Sequence, residues 1–461
     1  MDAEWFGLKL VVRSLFAITV IAMMISMVHA QPPTLLWSDP TVETVDIKLS
    51  KDGNYVVVAS FQIDDGFGGQ VRFYSRSSGT PLWTWEGPQQ VFSVAISANG
   101  DYVAAGVYAV DQIPVGNVLF WKNARTLTGT PDPDWRSDNL HGPIQRRCLD
   151  MSDDGNYVVA CGTGPNVFYW AEAGQMSGVD VATTWNWVGP SVEAVDLSSD
   201  GDYVVIGTVV STVAYWKNAR SLSGFPADPD WESTSPDHPV IDVAVSDDGD
   251  YVAAATGPLV DTSVHYWAGA KSLSGDPPHT WYYGAGISFT SVDMSCDGDS
   301  VIAGSGGFVQ EGSHSVYFWG GARSLTGTPS PTWVYPTKYP TWDVAINDAG
   351  TCMAAVDFPI DTVYFFDRQG NLLWQDQAIS GDKLSISCDG GTLAVGTPIF
   401  ATAYLFDTGY SSPCCGAAVP VGGVVANLEE SAVLAPYLAF TVVIGAAAVA
   451  MMLWTKKKPK N

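Results

Sequence analysis

Six aspartates stand at two fixed distances from a repeated turn glycine, and carboxylates in such register can hold a cation, share a proton or cap backbone amides. Asp150, Asp196 and Asp293 lie five residues before Gly155, Gly201 and Gly298, while Asp46, Asp242 and Asp343 lie seven before Gly53, Gly249 and Gly350. Positions two apart on a strand share a face, so both sets point the same way if these segments are strands. Gathered around one channel, they could attract a cation or a polar ligand. Alternatively, each could bind backbone or hydroxyl groups of a neighbouring unit, because buried polar groups must find partners. The turns themselves are acidic, as in "SDDGDYVAAA" (Ser246 to Ala255), where Asp247, Asp248 and Asp250 offer the hard oxygen ligands that calcium takes. Their spacing is not that of a calcium loop, however, and Asp before Gly is what a tight turn requires.

The elements that carry these residues repeat. Eight copies of the turn are present, from "SKDGNY" at Ser50 through "SDDGNY" at Ser152 to "SCDGGT" at Ser387. The spacing of roughly 40 to 55 residues is that of four-stranded propeller blades. Before each turn apolar residues alternate with small or polar ones, as in Val195 and Leu197 or Val243 and Val245, which is the period of a strand. After each turn comes a β-branched run such as "YVVIGT", and Asp-Gly between two such runs is hairpin chemistry. A third strand ends in an aromatic pair (Trp121, Trp170, Trp216, Trp267, Trp319), and a fourth carries a further tryptophan (Trp83, Trp135, Trp185, Trp231, Trp281, Trp333, Trp374). The last unit stops after its third strand, and "TLLWSDP" (Thr34 to Pro40) matches the missing fourth. The expected fold is all-β, an eight-bladed β-propeller of four-stranded antiparallel blades over residues 31–410, its ring closed by an N-terminal strand.

A formal charge of −26 repels a phosphate backbone and excludes nucleic acid as a partner over most of the surface. Residues 1–30, with Lys9 and Arg13 before an apolar run and Ala30 at a small-residue cleavage pattern, read as a signal peptide. Residues 433–454 are uncharged and long enough to cross a bilayer as a helix, and the tail 455–461 carries Lys456, Lys457, Lys458 and Lys460, which should stay in the cytoplasm. Residues 411–432 form the linker between propeller and span. The chain is therefore expected in the cytoplasmic membrane, single-pass, with the propeller outside. Cys148 and Cys161 flank "SDDGNY" symmetrically and are candidates for a disulfide if the flanks pair as a hairpin, whereas Cys296 and Cys388 sit in equivalent turns of different repeats and are not expected to meet.

Three loops depart from the repeat, 61–70, 107–117 and 305–314, and irregular loops on a regular scaffold are where specificity tends to sit. Asp64, Asp65, Asp111, Glu311 and His314 are the candidate ligand contacts there. Loops of the type "WKNARSLSG" bring Lys122, Arg125, Lys217, Arg220, Lys271 and Arg323 to the opposite face. These cations either pair with the acidic turns beside them or form a collar for an acidic partner.

The repeat resembles the WD40-like and quinoprotein-like β-propellers. "SRSSGTPLW" (Ser75 to Trp83) and "DRQGNLLW" (Asp367 to Trp374) are similar to the tryptophan-docking motif of the quinoproteins, whose turn glycine precedes a packed Trp by four positions. That resemblance implies a quinone under an adjacent-cysteine disulfide, a calcium ion and a catalytic Asp. Cys414 and Cys415 are adjacent but follow the last propeller strand, and no calcium ligand set or catalytic Asp matches residue by residue. The residues themselves call for no cofactor; calcium and quinone enter only as alternatives. The chain reads as a membrane-anchored scaffold that binds a protein or surface polymer, with a propeller enzyme acting at the channel and a structural envelope component as alternatives.

Overall fold

The computed structural model describes residues 32–414 except 42, 63–67, 109–114, 142–143, 163–165, 226, 258–261, 285, 307–313, 359–361, 378, 380 and 398–400. The expected signal peptide, membrane span and basic tail, and all but the first residues of the expected linker, lie outside them. Among the described residues no helix is long and apolar enough to cross a membrane. They fold into eight four-stranded antiparallel sheets, seven built from consecutive strands and the last in the order Thr34–Asp39, Thr402–Asp407, Thr392–Thr397, Lys383–Ile386. The N-terminal strand thus closes the ring, with Thr34 opposite Asp407 and Asp39 opposite Ala403. Blades are numbered from the hairpin of Thr44–Leu49 and Tyr55–Gln62 (blade 1) to Lys383–Ile386 (blade 8).

The motif S-x-D-G-D-Y is legible as geometry in blade 4. Ser198 Oγ donates to Asp200 Oδ1 at 2.8 Å and accepts the Tyr203 amide at 3.0 Å, while Asp200 Oδ1 also accepts the Asp202 amide at 3.0 Å. Gly201 has φ +78°, and a Cβ there would stand 2.5 Å from the ring of Tyr157 in blade 3. The glycine therefore serves a left-handed turn and a seam at once. The same tyrosine-under-glycine contact recurs between Tyr55 and Gly100, Tyr102 and Gly155, Tyr203 and Gly249, and Tyr251 and Gly298. In blade 7 the tyrosine position holds Cys352, a buried cysteine with a free thiol, which packs under Gly390.

Aromatic stacking runs from blade to blade. Trp185 of blade 3 lies between its own Tyr169 at 4.9 Å and Trp216 of blade 4 at 5.8 Å, and its indole N–H donates to the Ala219 carbonyl at 2.8 Å. Trp83, Trp135, Trp231 and Trp281 do the same to Ala124, Ala173, Ala270 and Ala322 of the following blade. The long "NARSLSG" loops therefore keep the tryptophan docking that the short turns suggest, using a 3-10 turn as the acceptor. Each such loop also adds a parallel bridge to the fourth strand of the preceding blade, Trp185 with Gly224 and Trp231 with Gly275 among them, so the outer edges are not left bare. With Trp121, Trp170, Trp267 and Trp319, ten tryptophans are under 2 % exposed, and truncating one to Ala would cost about 3–5 kcal/mol.

Candidate functional site: the axial channel

The innermost strand of each blade carries two positions, seven and five residues before the turn glycine, and the turn a third, two before it; most of these residues line the axis, although Cys148, bonded to Cys161, and Ala194 do not. Two cavities, of about 210 and 240 Å³, lie along it and share Lys48, Asp150, Asp196, Asp293 and Ile346 in their walls. Going round the blades, the first position reads Asp46, Ser93, Cys148, Ala194, Asp242, Ser291, Asp343, Lys383, and the second Lys48, Ala95, Asp150, Asp196, Ala244, Asp293, Ala345, Ser385. The third reads Lys51, Ala98, Asp153, Ser199, Asp247, Cys296, Asp348, Cys388.

All six predicted aspartates line the channel, and one carboxylate oxygen of each accepts a backbone amide from the next blade. Asp150 takes Leu197 N at 2.9 Å, Asp196 takes Val245 N at 2.7 Å and Asp293 takes Ile346 N at 2.9 Å. Asp46, Asp242 and Asp343 take Val94, Val292 and Leu384 N at 2.9, 2.9 and 3.0 Å. Ser93 and Ser291 add hydroxyl donors to Asp46 and Asp242. Blade 8 uses Ser385 in the same way, accepting Leu49 N of blade 1 at 3.0 Å. These are seam contacts, made by the residue types that the repeat places there.

Cations absent from the sequence-based site thread the axis. Lys51 of blade 1 reaches Asp153 of blade 3 at 2.9 Å and Asp247 of blade 5 at 3.0 Å. Arg147 of blade 3 donates to the carbonyls of Thr290 at 2.9 Å and of Ile241 and Trp342 at 3.4 Å, with Asp242 and Asp343 oxygens 3.6 Å away. It ties blades 5, 6 and 7 from across the channel. Its backbone has φ +63° at an irregularity in the Ile144–Met151 strand, which swings the side chain inward. Arg146 pairs with Asp382 of blade 8 at 2.9 Å. Lys48 and Lys383 share the register of the six aspartates and could have been found by the same count, and Lys51 from its place two residues before the turn glycine; Arg147 depends on the bulge and could not.

The electrostatics follow from crowding. Burial and the neighbouring Asp150 push Asp196 well above the usual carboxylate range, and the two carboxyls hydrogen-bond each other. Asp150 is raised by burial, with Lys48 partly offsetting. Burial pushes Asp293 up to about 7. Lys48 projects into the open lumen with protein all round it; burial disfavours its charge, but Asp46, Asp150, Asp343 and Asp196 outweigh this and hold it above the usual lysine range. Lys383 is lowered by burial despite Asp343. Burial therefore disfavours the charged forms of Asp150 and Asp196, while Asp293 is placed to exchange a proton near neutrality.

Of the other candidates, Asp64, Asp65, Asp111 and Glu311 lie outside the described residues. His314 sits at the start of the Ser315–Gly320 strand, half-buried, its carbonyl accepting the Thr337 amide at 3.0 Å. Of the turn aspartates, Asp248 serves its own turn, accepting from Ser246 Oγ and the Asp250 amide, whereas Asp247 reaches Lys51 across the channel. The basic loops pair with the acidic turns: Arg125 with Asp101 at 2.6 Å, Arg220 with Asp202 at 3.2 Å, Lys271 with Asp248 at 3.4 Å and Arg323 with Asp299 at 3.1 Å. Lys217 donates instead to the Leu273 carbonyl.

Cys148 and Cys161 form a disulfide across their hairpin, Cα atoms 4.7 Å apart. Cys296 is disulfide-bonded as well, and Cys388 is bonded to Cys414. Residues 411–414, the start of the expected linker, lie on the turn face: Ser412 N donates to the Asp389 carbonyl at 2.9 Å, Asn347 Nδ2 to Ser412 Oγ at 2.7 Å, and the neighbouring Tyr410 OH to the Thr351 carbonyl at 3.2 Å. Spacing alone could not show this, because it depends on where the closing blade leaves the chain.

Comparison of the sequence with family profiles and with curated proteins gives no match. Among solved structures, the C-terminal WD40 domain of Sif2 superimposes with a TM-score of 0.59 at 14 % identity, covering 82 % of this chain and 99 % of that one. A chain of the mitotic checkpoint complex gives 0.50 at 13 % identity, covering 82 % and 94 %. The chain has the WD40-type propeller fold.

Proposed function

We propose that the protein is a membrane-tethered scaffold outside the cytoplasmic membrane, whose loop face binds a protein or surface polymer. The observation that carries this reading is the exit of the chain. Residues 410–414 are fastened to the turns of blades 7 and 8, at the end of the blades away from the second-strand ends Gln62, Tyr108 and Ser305 where the irregular loops begin. Beyond them the sequence supplies the uncharged stretch 433–454 and its lysine tail. Disulfides suit an oxidising compartment. The inner carboxylates hold seams, so the channel contributes rigidity to the presented face. The test is alkaline washing and external proteolysis of cells making the full chain. The full chain should stay with washed membranes and lose its propeller to external protease, whereas a chain ending at Glu430 should be recovered soluble outside. A full chain released by alkali, or a propeller protected in intact cells, would refute the tether.

A further inference from the structure

Two lysines of the inner strands face the axial channel with no seam to hold. Between blades 7 and 8 the seam amide is met by Asp343, between blades 8 and 1 by the Ser385 hydroxyl, and between blades 1 and 2 by Asp46. Lys383 and Lys48 stand in the same register with that work already done. Lys383 opens the strand Lys383–Ile386, seven residues before Gly390, the position that Asp343 and Asp46 hold in the blades on either side. It is 6 % exposed and lines the cavity of about 210 Å³, and among the described residues its ammonium makes neither a hydrogen bond nor an ion pair. The other cations that reach inward, Lys51, Arg146 and Arg147, are all engaged. Burying an amine without a partner is costly, and a desolvated lysine beside other cationic groups is the kind that attacks carbonyl carbon.

We infer that Lys383 is a nucleophilic amine that takes a small uncharged aldehyde from the channel as a reversible imine. The Nζ lone pair forms a bond to the carbonyl carbon, and the carbonyl oxygen leaves with both amine hydrogens as water, so neither oxidant nor reductant is consumed. The attack requires the neutral amine. Burial pulls Lys383 below the usual lysine range and Arg147 adds to this, against the opposing charges of Asp343, Asp382 and Asp46. Lys48 is the contrast on the same wall, because its carboxylate neighbours hold it charged and therefore unreactive. The wall of this cavity carries six aspartates, Asp46 to Asp343, against Lys48, Arg147 and Lys383, which disfavours an anionic ligand and leaves room for an uncharged compound of a few carbons.

The measurement must separate reactivity from access, and Lys48 and the exposed Lys338 supply the two references. Folded full chain in mild detergent is treated near neutral pH with acetaldehyde and cyanoborohydride, which fixes each imine as an N-ethyl group, and labelling is followed lysine by lysine in peptide digests. Lys383 should be ethylated about tenfold faster than Lys338, and Lys48 no faster than Lys338, with the three rates converging when the chain is unfolded in urea. Labelling of Lys383 no faster than that of Lys338 would overturn the proposal. Equal labelling of Lys48 and Lys383 would overturn it as well, since it would show an open channel without a selectively reactive amine.

Discussion

Asp39 shows how one carboxylate holds the ring shut. It ends the closing strand and accepts Arg72 Nη1 at 3.0 Å, Tyr74 OH at 2.8 Å and Thr41 Oγ1 at 2.6 Å. The pair with Arg72 is 8 % and 14 % exposed, so its loss leaves a buried cation rather than a hydrated one. Asp39→Ala should cost about 3 kcal/mol in urea unfolding. Burial would raise the Asp39 pKa, but the hydrogen bonds from Thr41 and Tyr74 and the charge of Arg72 outweigh it and hold it below the usual range. Its contribution is therefore present above the unfolded value near 4 and is lost as the pH falls through the lower folded value. Asp293 acts with the opposite sign. Its folded pKa of about 7 lies above the unfolded value, so folding stability should fall as the pH rises from about 4 to about 7 and then level. In Asp293→Asn that slope should shrink, and an unchanged slope would show that the channel does not hold the proton.

At the scale of the element, each hairpin is fitted to the blade behind it. Gly201→Ala adds a Cβ in left-handed backbone and drives it into Tyr157, and should cost about 3 kcal/mol from strain and overpacking together. Combining it with Tyr157→Ala should relieve the clash and leave the backbone strain, so the two costs will be less than additive in a double-mutant cycle. Additive costs would mean that the glycine is needed for the turn alone. By contrast Arg323→Ala, which breaks an exposed pair with Asp299, should change stability by less than about 1 kcal/mol.

For the whole molecule the decisive feature is closure. Deleting residues 32–40 removes the strand paired with Thr402–Asp407 and exposes a sheet edge on blade 8, along with the partners of Arg72 and Tyr74. Such a chain should self-associate in size-exclusion chromatography and lose its single thermal transition. A monomer with an unchanged transition would show that the ring does not depend on this strand.

The sequence by itself determined the blade count, the strand order, the closing strand and the inward direction of six aspartates, because those rest on periods of two and on turn glycines that act locally. Lys48 and Lys383 were equally legible by register, and Lys51 from its place in the turn. Only the tertiary structure decided what those groups touch. The channel brings Lys51 to Asp247 and Arg147 to Thr290 from blades far apart in sequence, and folding seats Cys414 on Cys388 and His279 on His265. Such contacts depend on ring curvature, on a bulge at Arg147 and on the path of the chain after the last strand, none of which has a local signature in the residues.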